Sequence, residues 1–141
     1  KIKVKFLQVP HPPLKECYAY KFIGSKKIVF SGDTRYFEPL ASFSKKSDVL
    51  VHEAILPEYI DKIIKKTGLS LKLKKHLKSS HTKLEEVIKI AKLSNCKKLI
   101  INHLIPNDNT LKQRRVWQKN INNKINIKVI IGQDKLRIKL S

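Results

Sequence analysis

The chemistry-bearing residues of this 141-residue chain are five histidines, His11, His52, His76, His81 and His103, and two well-placed carboxylates, Asp33 and Glu53. Their settings say more than their number. Asp33 follows Ile28-Val29-Phe30-Ser31-Gly32, an apolar β-type run that stops at small turn residues. Its carboxylate is therefore presented at the carboxyl edge of a sheet, where ligands collect. A second run, 48–51, delivers His52-Glu53, and a third, 99–102, delivers His103. Pro10, Pro12 and Pro13 bracket His11 and hold it in an extended, poorly mobile loop.

Neutral imidazole and carboxylate are the favoured ligands of zinc-like ions. A lone histidine at a strand end is ordinarily structural; several around Asp33 point to a metal. On this reading Asp33 is the hub of a metal-dependent hydrolytic site that the chain carries only in part. No short metal motif stands by itself: there is neither HxxxH on a helix nor HxHxDH. His81 directly precedes a helix start, near the positive end of a macrodipole. An imidazole there can hand a proton to a leaving oxygen, with Glu53 as the carboxylate that favours its protonated form, or it merely decorates the cap. His76 lies in a Lys-rich stretch and reads as solvated.

The elements that must position these groups follow from periodicity. Residues 2–9 alternate as a half-buried strand, 17–23 read as a second strand, and Gly24-Ser25 turns it into a strand at Lys27–Phe30. A short helix is expected around 37–43, and a buried strand at 48–51. A helix opens at Pro57 and closes near Gly68, and a further short helix covers 69–78. Thr82-Lys83-Leu84-Glu85 reads as a capping box, followed by Leu84, Val87, Ile88 and Ala91 on one helical face. Then come strand 99–102, helix 110–121, and strands at 126–131 and 135–140. This alternation is the α/β signature, and the hairpin-rich start predicts a mixed sheet covered by helices.

Composition sets the bounds. The length allows one domain with a real core, and no long apolar run argues for a membrane span. There are 31 Lys and Arg against 11 Asp and Glu, a formal charge of +20. Lys, Ile and Asn abound throughout and the basic residues are dispersed, so compositional bias is preferred over a nucleic-acid footprint. Cys17 and Cys96 form no CxxC pair and fit a reducing, cytoplasmic setting. The chain contains no Met and starts within strand-like alternation, which predicts a piece of a longer protein.

In order, V-P-H-P-P-L-x-x-C-Y-A-Y, I-V-F-S-G-D-T, V-L-V-H-E-A, S-S-H-T and L-I-I-N-H-L-I-P resemble the second half of the metallo-β-lactamase fold. More specifically, the series resembles the ribonuclease Z and arylsulfatase-like metallo-hydrolases. The resemblance runs from Val9 to Pro106. It implies the C-terminal half of an αββα sandwich, so that 1–141 is a partial metallo-β-lactamase-like domain. It also implies a two-metal site, usually zinc, with His11 and His103 as metal ligands and Asp33 bridging both ions. Glu53 would orient His81, and His81 would protonate the leaving group after attack by a metal-held hydroxide.

Two departures qualify this. The family's HxHxDH motif is absent, so three ligands serve two metals, and the chain alone is expected to bind zinc weakly and to be inactive. Between His11 and Asp33 there is only a hairpin, with no room for the arm by which bacterial ribonuclease Z grips tRNA. The expected function is therefore hydrolysis of phosphoric or related sulfuric esters, with the tRNA 3′ endonuclease as alternative and a homodimer among the possible states. A further alternative is an inactive, basic nucleic-acid-binding remnant using Lys74, Lys75, Arg114 and Arg115 near Trp117.

Overall fold

A computed structural model describes residues 1–68, 70–107 and 110–140. Its strands are β1 (Lys3–Gln8), β2 (Tyr18–Ile23), β3 (Lys27–Phe30), β4 (Val49–Ile55), β5 (Lys98–Ile105) and β6 (Lys128–Ile131), joined in that order in one sheet. β1, β2 and β3 pair antiparallel, and β3 to β6 pair parallel. The helices are α1 (Pro39–Phe43), α2 (Pro57–Thr67), α3 (Leu71–Ser80), α4 (Leu84–Ser94) and α5 (Leu111–Ile121). The mixed α/β sheet expected from the sequence is the one found.

All seven residues of β4 are buried, as befits a central parallel strand covered on both faces. The short apolar run at 48–51 predicts that strand's start but not its extent. Pairing continues to Ile55 opposite Ile105, so His52 and Glu53 lie within β4 rather than beyond it. β5 likewise runs on through His103. Helix α4 buries Leu84, Val87, Ile88, Ile90 and Ala91 against the sheet, the stripe that 3.6-residue periodicity requires. Gly68 closes α2 in the left-handed conformation, φ 68°.

Three expectations are corrected. The helix start is shifted by one residue: Glu86 accepts from Lys83 N at 3.0 Å, while the Thr82 hydroxyl donates to Thr34 O at 2.6 Å. The tertiary partner outcompetes the local cap. Residues 135–140 form no strand; they find no neighbour to complete a ladder. Trp117 is fully buried, donating Nε1–H to Pro106 O at 3.1 Å. It therefore offers no face for a base to stack on, and Lys74 pairs with Asp61 at 3.0 Å. Leu69, the first residue of the short helix expected at 69–78, lies outside the described residues; the observed helix starts at Leu71.

The sheet's two faces are unequal. Val29 and Ala19 face the helices, and with them Lys3, Lys5, Lys21 and Lys27 share that side by register. The opposite side of β1 to β3 carries Val4, Phe6, Tyr20, Phe22 and Phe30, each 36–69% exposed. An apolar face turned away from its own helices is unusual in a two-layer unit. It has the character that a second sheet of an αββα sandwich would cover.

Candidate active site

The loop after β3 is set by Ser31 and Gly32. Ser31 N–H donates to Val51 O at 2.9 Å, and Ser31 Oγ accepts from Glu53 N at 3.2 Å while donating to Gly32 O at 2.6 Å. Gly32 has φ 62°, and a Cβ there would stand 2.7 Å from Tyr18 O. Only glycine fits both demands. The result is that Asp33 emerges with a half-exposed carboxylate.

His103 reaches the same edge through a different device. The β4–β5 ladder pairs Glu53 with Asn102 and then Ala54 with Leu104, so His103 is the extra residue of a bulge. Its φ is 41°, a conformation uncommon for non-glycine residues and found at functional sites. The bulge brings Nε2 to 3.5 Å from Asp33 Oδ2. Two donors on one zinc at bonds of about 2.0–2.1 Å in tetrahedral geometry stand about 3.4 Å apart. The spacing fits an edge of such a polyhedron.

Behind this pair lies a buried dyad. Glu53 Oε1 is 3.0 Å from His81 Nδ1, and their side chains are 1% and 5% exposed. The same oxygen accepts from Thr34 N at 2.9 Å and Thr82 N at 3.4 Å. Oε2 has no partner among the described residues. Burial pushes the Glu53 carboxyl above its ordinary range, against the pull of His81 and the Thr34 amide. Burial disfavours the His81 imidazolium, but the hydrogen bond and charge of Glu53, with Asp33, more than offset it and raise its pKa. The dyad holds its proton tightly. His81 also stacks on His103, ring centroids 5.5 Å apart at 17°, and meets His11 edge-on at 4.9 Å.

His11 is buried in its proline-flanked loop, and its Nδ1–H donates to Ser80 O at 2.8 Å. That bond fixes the tautomer and leaves Nε2 bare, the arrangement seen when a histidine ligates metal and its other nitrogen binds a carbonyl. The structure thus brings His11, Asp33, Glu53, His81 and His103 to one sheet edge.

His52 is not among them. It is fully buried, its Nδ1–H bonded to Glu53 O at 2.7 Å, with its pKa lowered to about 4 by burial. His76, read from sequence as solvated, is half-buried, its Nδ1 3.3 Å from Ser80 Oγ. The sequence marks Ser31 only as a turn residue and gives Thr34 and Ser80 no role of their own. The four-residue spacing of His76 and Ser80 on one helix is the available signal for the latter.

Whether a metal fits divides into kind and number. Two imidazoles and a carboxylate suit a zinc-like divalent ion, and the Asp33–His103 spacing agrees. Among the described residues, however, no group of three or more His, Cys, Asp or Glu side chains is gathered closely enough to hold an ion by itself. The donors fit in chemistry and are incomplete in number.

No family model matches the chain. It is 31% identical over 102 residues to ribonuclease Z 1 of Schizosaccharomyces pombe, covering 71% of this chain and 11% of that protein. It is 32% identical over 109 residues to ribonuclease Z of Macrococcus caseolyticus, covering 77% of this chain and 31% of the relative. Among solved structures it superimposes on the metallo-β-lactamase fold protein YhfI of Bacillus subtilis with a TM-score of 0.65 at 22% identity, covering 94% of this chain and 46% of that one. The chain has the metallo-β-lactamase fold. Within that fold its sequence is ribonuclease Z-like. It spans about a tenth to a third of these curated relatives' length. No helix among the described residues is long and apolar enough to cross a membrane.

Proposed function

We propose that this chain provides one side of a metal-dependent hydrolase site for phosphodiesters, with the remaining metal donors on a segment outside these 141 residues. The observation that carries the reading is the His81–Glu53 dyad lying directly behind the Asp33–His103 pair, with His11 at its edge. A buried, proton-retaining imidazole beside paired metal-type donors is a composition suited to ester cleavage.

His11, Asp33 and His103 are the residues that would hold metal, and their donor chemistry suits zinc. Bound metal supplies charge neutralisation at the ester and activation of water. The chain's own part is proton handling and order. Glu53 keeps the His81 ring in one tautomer by accepting its Nδ1–H, so the proton to be donated sits on Nε2. Thr34 and Thr82 amides hold the Glu53 carboxylate in place, and Ser31 pins the loop that presents Asp33.

The test is leaving-group dependence in the protein that contains this chain, loaded with zinc. His81→Ala should lose roughly 100-fold or more on an alkyl phosphodiester. On an aryl phosphodiester, whose phenolate departs without a proton, the loss should be small. Equal losses on both would remove His81 from proton donation.

Precursor tRNA is the second reading for the substrate, favoured by the ribonuclease Z relatives. The β2–β3 hairpin between His11 and Asp33 favours a smaller ester, because it leaves no arm there. Efficient cleavage of precursor tRNA with negligible turnover of a simple aryl phosphodiester decides for tRNA.

A further inference from the structure

Helix α3 is attached to the site by polar contacts rather than by packing. Ser80 is its only buried residue, and Leu71 is 76% exposed. Lys74 and Lys78 pair with Asp61 of α2. At the C-terminal end of α3, Ser80 makes three connections. Its carbonyl accepts from His11 Nδ1 at 2.8 Å, its hydroxyl donates to Pro12 O at 2.5 Å, and the same hydroxyl lies 3.3 Å from His76 Nδ1.

Proton counting settles the directions. A hydroxyl has one proton, and Pro12 O, a pure acceptor, takes it. Toward His76 the Ser80 Oγ can then only accept, so the proton sits on His76 Nδ1. The Ser80 carbonyl is among the last of α3, which have no partner within the helix, and His11 supplies one. Two imidazoles are thus tied through the same serine, in the same tautomer. Their rings meet edge-on at 6.3 Å, and His76 also meets His81 at 6.4 Å.

We propose that His76 is a positioning residue for His11, acting through Ser80: its Nδ1–H holds the serine whose carbonyl fixes the His11 ring with Nε2 bare. The proposal rests on the reading of His11 as a metal donor for its purpose, but not for its geometry. His76 is outside any donor set and touches no reacting atom.

The test reads ring tautomers by two-bond nitrogen–proton NMR on the ¹⁵N-labelled, metal-free chain at mildly alkaline pH. Free histidine prefers its proton on Nε2; here His76 and His11 should both show it on Nδ1. In His76→Leu, the His11 signals should move toward the free-histidine mixture, whereas His81, held by Glu53, should keep its own. Zinc-induced shifts of His11 should then need roughly ten-fold more zinc, as when a supporting partner of a ligand is lost. Asparagine places an amide N–H where Nδ1 was, so His76→Asn should restore both readouts. Ser80→Ala keeps the carbonyl and removes the relay, and should reproduce the leucine variant.

An Nε2–H tautomer for His76, or a His11 unmoved in both His76→Leu and Ser80→Ala, overturns the proposal. If His81 changes together with His11, the site has come apart as a whole, and failure of the asparagine variant to rescue then overturns it too. Intact tautomers with no response of His11 to zinc in the complete protein would instead refute His11 as donor, leaving the clamp standing.

Discussion

His103 Nε2 stands 3.5 Å from Asp33 Oδ2 although β4 runs between the strands that deliver them. The approach depends on a histidine held at φ 41°. Such a conformation costs a β-carbon-bearing residue about 1 kcal/mol relative to glycine. His103→Gly should therefore be more stable than His103→Ala by about 1 kcal/mol in urea unfolding of the metal-free chain, although both lack the imidazole. Equal stability would mean that the bulge carries no strain.

Gly32 is the counterpart on the other side of the pair. In Gly32→Ala the new methyl meets Tyr18 O at 2.7 Å in a backbone already at φ 62°. The neighbour is main chain of β2 and cannot swing away. A loss of about 2 kcal/mol or more is expected, with the His103 ring signals displaced as Asp33 moves. A variant as stable as the parent would show that the loop has room the structure does not display.

The legible part of the site is the part made by strand ends and turns. Asp33 is announced by Ser-Gly after an apolar run, and His11 by its prolines. Glu53 is harder: alternation and length stop the predicted strand at Val51, and only long-range pairing with β5 reveals that the strand continues. The bulge at His103 leaves no trace in composition, because it arises from two strands slipping by one residue. His76 shows the reverse failure. Its lysine-rich neighbours describe the outer face of α3, while its own partner is set by where that helix ends.

His52 gives an acid-side prediction. Its folded pKa of about 4 lies below the ordinary 6.5 because burial excludes the charged form. The unfolded chain therefore binds a proton that the folded chain refuses, and stability falls as pH drops from about 6.5 toward 4. The full difference is on the order of 3 kcal/mol. His52→Leu should flatten this part of the urea midpoint-versus-pH curve, whatever its absolute stability. An unchanged slope would assign the acid loss to other groups.

The open face of β1 to β3 predicts solution behaviour. Phe6 and Phe22 are 69% and 36% exposed on a side free of lysine in these strands. Substituting both by Lys should leave the helix-side core intact, lower binding of a hydrophobic dye several-fold, and reduce self-association in sedimentation. If instead the double variant unfolds, those rings are structural within this chain alone, and the face is not waiting for a second layer.

The Glu53–His81 dyad makes the alkaline-side prediction, with the opposite sign. Both groups have folded pKa values raised above their unfolded ones. Each contribution is fully present below the unfolded value, near 4.5 for the carboxyl and 6.5 for the imidazole, and is lost as pH rises through the folded value. Because the partners share one hydrogen bond, the loss belongs to the pair. Glu53→Gln keeps the shape and removes the charge that sustains the imidazolium. His81 should then titrate at lower pH by NMR, and the decline in stability above pH about 6.5 should shrink. The same variant should slow an alkyl phosphodiester more than an aryl one, because a proton less firmly retained is less available to the departing alkoxide at neutral pH. A His81 titration unmoved by Glu53→Gln would separate the two residues, and the proton would have to be assigned to a different partner at the site.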